Sequence, residues 1–159
     1  MKRVFLIFGG LMLAGCGAFE GGLFAPKDRA PETAEAQATT TAAAPPAGAN
    51  TADTLDTTSE EERAQAVADA GAAGGETDLG VTIASLGAVA EPGIWLKTPL
   101  VQAEARGRVE FPEKGTKVAV DLIPLDAEPG AGSQISLAAM RLLEADLTSL
   151  PELRVYRTE

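Results

Sequence analysis

From residue 78 onward the apolar positions recur with two different periods. In "DLGVTIASLGAV" Leu79, Val81 and Ile83 alternate with Gly80, Thr82 and Ala84, the two-residue period of a strand whose faces differ. "IWLKTPLV" is a second extended run, and Pro99 within it marks an edge position or a strand end. "GRVEF" and "KVAVDLIPL" flank Pro112-Glu113-Lys114-Gly115, which predicts a β-hairpin with a short loop. Its second strand places Val118, Val120 and Leu122 on one face, with Lys117, Ala119 and Asp121 on the other. After the Gly/Pro-rich loop "DAEPGAGSQ" the period changes to that of a helix in "ISLAAMRLLEADL". Ser136 is its N-cap, and Leu137, Met140, Leu143 and Leu147 form its apolar face. Pro151 ends that element, and "ELRVYR" returns to alternation, with Leu153 and Val155 opposite Arg154 and Tyr156. The pattern predicts a small, mainly β domain over 77–158 with one helix packed against it.

Upstream the pattern fades. From Gly17 to Thr58 the chain is Ala, Thr, Pro, Glu and Gly, with almost no large apolar residue after Phe24. Such a stretch buries too little surface to offset its ordering entropy, so 16–76 is expected to be a disordered tether. About sixty residues of coil have an r.m.s. reach of about 45 Å. Inside it, Ser59 followed by Glu62 forms a capping box, and Ala64, Val67 and Ala68 follow at helical spacing. This predicts a short helix over 60–70. An isolated helix of that length is marginal in water, so it reads as a fraying turn within a linker, against the alternative of a partner-binding helix.

At the start, Lys2 and Arg3 precede an apolar run from Val4 to Leu13. Ten residues are too few to cross about 30 Å of hydrocarbon, and the layout is that of a signal peptide over 1–15. Leu13-Ala14-Gly15-Cys16 resembles the lipobox of bacterial lipoproteins. The resemblance implies a diacylglycerol on the Cys16 thiol, cleavage before it, and an acyl chain such as palmitate on the new amino terminus. Two or three chains make membrane residence durable. Gly17 after the cysteine implies, by the same resemblance, the periplasmic side of the outer membrane. Loss of Lys2 and Arg3 takes the formal charge from −10 to −12, which disfavours nucleic-acid binding. Cys16 is the single cysteine, so no disulfide is expected.

The segment from Gly107 to Arg157 is similar in pattern to the second half of the double-psi β-barrel domains of the rare lipoprotein A family. It has a hairpin, a strand entering a Gly-containing loop, a helix near Ile-Ser-Leu-Ala-Ala, and a final strand. "TIASLG" resembles the first strand of such a barrel. The implied fold is a small double-psi-like β-barrel. Catalytic members pair an acidic residue at a strand end with a histidine, and this chain contains no histidine. Alignment of the alternating valines puts Pro124 where the catalytic aspartate would stand. Asp121 and Asp126 flank that position, and with Glu110 they are the candidate acids of a degenerate glycan-cleaving site, which requires two carboxyls about 5 to 10 Å apart. "EPGIWLKTPLV" and "SLAAMRLL" also resemble short alphaproteobacterial lipoproteins that carry the name D-galactarate dehydratase. Sugar-acid dehydration needs a base and usually a metal, and no His or Cys cluster is present to supply them.

The remaining chemistry is sparse. "GAGS" lacks the Lys that completes a phosphate loop, and Ser133 and Ser136 have no histidine to activate them. Gly130 and Gly132 serve a tight loop, with a small-anion cradle as the alternative. No cofactor and no metal are expected. Trp95, the single tryptophan, is either a core anchor or a glycan-stacking platform. Lys97, Arg106 and Arg108, with Lys114 and Lys117, form a basic group in an acidic chain and are the candidate ligand-binding residues. The resulting expectation is a lipid-anchored outer-membrane protein whose non-catalytic domain binds peptidoglycan or an envelope protein. The competing reading is a glycan-cleaving enzyme, with a sugar-acid dehydratase behind it.

Overall fold

The structure, a computed structural model, describes residues 42–158 apart from 73 and 129, all within one compact unit. The signal run, Cys16 and the first part of the expected tether lie outside the described residues. The elements are α1 (Ala52–Leu55), α2 (Glu60–Ala72), β1 (Glu76–Leu86), β2 (Trp95–Thr98), β3 (Ala105–Phe111), β4 (Thr116–Pro124), β5 (Ser133–Ile135), α3 (Leu137–Leu142) and β6 (Glu152–Thr158).

The six strands close into a barrel in the order β1-β5-β2-β4-β3-β6. β1 runs parallel to β5 and β2 runs parallel to β4; the other four pairings are antiparallel. The ring has an internal two-fold relation. Exchanging β1–β3 with β4–β6 returns the same order, and the registers agree. The pair Leu96↔Leu122 maps onto Ile135↔Leu86, and Val109↔Val118 maps onto Leu153↔Thr82. The barrel is therefore two interleaved three-strand units, and the domain is mainly β as expected.

Alternation decides what points inward. Leu96, Val109, Val118, Val120, Leu122, Ile135, Leu153 and Val155 are fully buried, and Met140 and Leu143 from the α3 region join the same core. The interior also holds one polar chain: the Thr82 and Ser133 hydroxyls lie 2.7 Å apart, and Ser133 donates to the Thr98 hydroxyl at 2.9 Å. Paired in this way, the buried hydroxyls avoid the cost of desolvated, unmet groups. The hairpin turn is made by Gly115 at φ 69°, a conformation that L side chains rarely adopt. β3 crosses the barrel closely at Gly107, where a Cβ would stand 2.4 Å from Leu122 Cδ1 and 2.5 Å from the Tyr156 carbonyl oxygen.

Several expectations change. Among the described residues there are three helices, where the sequence predicted one after Ser136 and a short one over 60–70, because part of the segment assigned to the tether is folded. The Ser59–Glu62 capping box forms, with Ser59 N donating to Glu62 Oε2 at 2.9 Å and Glu62 N donating to Ser59 Oγ at 3.2 Å. α2 extends to Ala72 and packs on β4, and such packing supplies the stability that a short isolated helix lacks. Its buried positions are Ala66 and Ala70, while Val67 is 46 % exposed. The Ala64–Val67–Ala68 stripe faces away from the barrel. α3 stops at Leu142, and Glu144 adopts φ 56°, so Leu147 belongs to the loop that follows. β5 falls inside the stretch read as a loop plus helix start; three residues are too few to display an alternation. β2 ends at Thr98, immediately before Pro99.

Candidate functional site

Strand alternation on β3 sends Arg106, Arg108 and Glu110 outward while Val109 and Phe111 face the core. The antiparallel register sets Arg106 against Asp121, Arg108 against Ala119 and Glu110 against Lys117. β2, parallel to β4, brings Trp95 beside Asp121. α2 lies over this face and contributes Asp69. The four predicted binding residues therefore share the outer side of β2–β4–β3, yet their environments differ sharply.

Arg108 is 8 % exposed. Its Nε and Nη2 donate to Glu76 at 2.7 and 2.5 Å, its Nη1 donates to Glu110, and its guanidinium lies 4.2 Å from the centre of the Tyr156 ring. Hydrogen bonding to Glu76 raises the Arg108 pKa well above its ordinary value, and the same contact lowers that of Glu76. Each of the three guanidinium nitrogens is held in an internal clamp. Lys97 is similarly occupied, with Nζ 2.6 Å from Glu91 Oε2 and 4.6 Å above the Trp95 ring. Trp95 itself is 4 % exposed, with its Nε1 buried and unpartnered among the described residues. A ring that covered offers no stacking platform: it lies on the outer side of β2 beside Gly87, outside the main core cluster.

Arg106 differs. Its side chain is 46 % exposed, with Nη1 3.6 Å from Asp121 and Nη2 3.9 Å from Asp69. Pairs of that length at an exposed site contribute little, about 0 to 1 kcal/mol each. The guanidinium borders two clefts. One, about 150 Å³, lies between α2 and β4 and includes Asp69, Ile94 and Asp121. The other, about 380 Å³, includes Gly74, Arg108 and Thr158. An anionic group entering either cleft meets a cation whose present partners are loosely held.

The candidate acids do not converge. Glu110 sits opposite Lys117, four residues along β4 from Asp121 or about 13 Å at the usual strand rise. Asp126 is exposed in the loop beyond Pro124. Hydrogen bonds displace the pKa values of Glu76, Asp78 and Asp146 downward, the wrong direction for a general acid. Among the described residues no group of three His, Cys, Asp or Glu could hold a metal ion, and no helix is long and apolar enough to cross a membrane. Gly132 approaches the Ile83 carbonyl oxygen. At the neighbouring helix start Ser136 Oγ accepts from Ala139 N, and it also accepts from Trp95 N on β2. Both observations suit a tight loop.

Sequence reasoning missed the buried Asp56. Its carboxylate takes Arg63 at 3.2 Å and Arg141 at 2.9 Å while its side chain is 2 % exposed. No local pattern marks it. Comparison with protein-family models, curated proteins and solved structures gave no match.

Proposed function

We propose that this chain is an outer-membrane lipoprotein, anchored through lipid on Cys16 and facing the periplasm, whose barrel is a non-catalytic module that holds peptidoglycan or an envelope protein. The observation that carries the binding reading is the contrast between Arg106 and its neighbours. Arg108 and Lys97 are consumed by internal partners at 2.5 to 2.7 Å, whereas Arg106 is half exposed, with carboxylates only at 3.6 and 3.9 Å. A guanidinium beside an open cleft suits a carboxylate-bearing ligand, since its planar fork can bond both oxygens. Peptidoglycan stem peptides carry such groups.

The non-catalytic reading is favoured by the dispersal of Glu110, Asp121 and Asp126. The test is cosedimentation of the full-length chain with insoluble peptidoglycan, with released muropeptides measured in the same supernatant. Binding without release is expected. Muropeptide release would overturn the non-catalytic reading, and neither binding nor release would direct attention to an envelope protein as the ligand of the Arg106 clefts.

A further inference from the structure

The internal two-fold relation pairs each surface of the barrel with a counterpart, and one such pair is treated unequally. On β4 the outward residues are Lys117, Ala119 and Asp121; α2 lies over Ala119 and Asp121, with its Ala66 and Ala70 buried, while Lys117 stays exposed. The exchange that maps Leu122 onto Leu86 maps these three onto Val81, Ile83 and Ser85 of β1. No described element covers that face: Val81 is 52 % and Ile83 is 45 % exposed. The covered pair is an alanine and a carboxylate, whereas the bare face carries two large apolar side chains, the reverse of what water alone would select.

We infer that the bare β1 face is where a second copy of this chain packs, forming a two-fold dimer. The argument for this occupant is the charge pattern beside the apolar pair. On the neighbouring strand Arg154 stands in register with Val81, and Glu152 stands in register with Ile83. Both are exposed on the same outer side. A two-fold axis lying in the interface, perpendicular to the strands at the level of Thr82, sets Val81 over Ile83 of the other copy. The same rotation sets Arg154 over the other copy's Glu152. Apolar meets apolar and cation meets anion in both halves of the contact, which is the self-complementarity an isologous interface requires. Arg154 is also held by Asp78 at 2.6 Å, which orients the guanidinium. This inference is independent of the binding reading, because the Arg106 clefts lie on the β3–β4 side.

The test is sedimentation velocity of the full-length chain, extracted in a density-matched detergent, at protein concentrations up to about 100 µM. The expected mass is two chains. Ile83→Asp and Glu152→Arg, each at an exposed position, should each weaken association at least tenfold with an unchanged circular-dichroism spectrum. Val67→Asp, at an exposed apolar position on α2, should leave it intact. A single-chain mass throughout that range would overturn the inference. So would a dimer indifferent to both β1-face substitutions, or one abolished equally by Val67→Asp.

Discussion

Asp56 and Arg141 stand 85 residues apart in sequence and 2.9 Å apart in space. Around that contact Arg141 also reaches Asp53 at 2.6 Å, and Arg63 joins Asp56 at 3.2 Å. The knot ties the α1–α2 segment to α3. Asp56→Ala leaves two guanidiniums short of a partner, although both are about one-third exposed and regain water. The expected cost is about 1.5 to 3 kcal/mol. Thermal unfolding measures it, and hydrogen exchange should show protection lost first in 60–72 while the strands keep theirs.

Glu76 and Arg108 make stability depend on pH. The Glu76 pKa is lowered in the fold, chiefly by its hydrogen bonds with Arg108, while an unfolded Glu titrates near about 4.3. The stabilisation is thus complete above about pH 5 and is lost as pH falls through the lowered folded value. Arg108 stays protonated throughout. Glu76→Gln should lower the Tm at pH 7 and flatten the Tm profile below about pH 4.5. A profile with the wild-type slope in that range would show that other carboxylates carry the acid transition.

Trp95 reports on the proposed binding face without belonging to it. As the single tryptophan and a buried one, it should emit at short wavelength, and peptidoglycan should leave that emission unshifted. Arg106→Ala should reduce cosedimentation at least fivefold, while Lys97→Ala should change it less than twofold. A red or blue shift on adding peptidoglycan would mean that ligand reaches the ring.

The anchor is tested separately. Labelled palmitate should be incorporated into the full-length chain and lost in Cys16→Ala, with the protein moving from the membrane pellet to the soluble fraction. Retention of label in Cys16→Ala would place the lipid elsewhere.

What could be read from the sequence was local. The alternation of Val118, Val120 and Leu122 correctly gave β4 its inner face, and Ser136 was recognisable as a cap because its position before Leu137-Ala-Ala is a short-range signal. Barrel closure was not legible through periodicity, because β5 spans three residues and its partners lie at Ala84–Leu86 and Leu96–Lys97. The docked side of α2 was obscured by composition: alanines occupy both sides, and only the surface of β4 selects Ala66 and Ala70. For the candidate site, alternation put both Arg106 and Arg108 on the outside. Their different fates depend on Glu76, 32 residues before Arg108.

The interleaving of the two halves has a kinetic consequence. All six ladders join a strand of β1–β3 to one of β4–β6, and within either half no two strands pair. Only the β3–β4 hairpin is close in sequence, so it is the natural first structure to form, in about 1 to 10 µs for an isolated hairpin. Every other ladder waits for distant segments to meet, which places the barrel among slow folders, in the range of about milliseconds to seconds. Cut at the 112–115 turn, the chain would yield two pieces with no ladder inside either and all six between them, and recovering the barrel would become a bimolecular reaction whose rate rises with concentration.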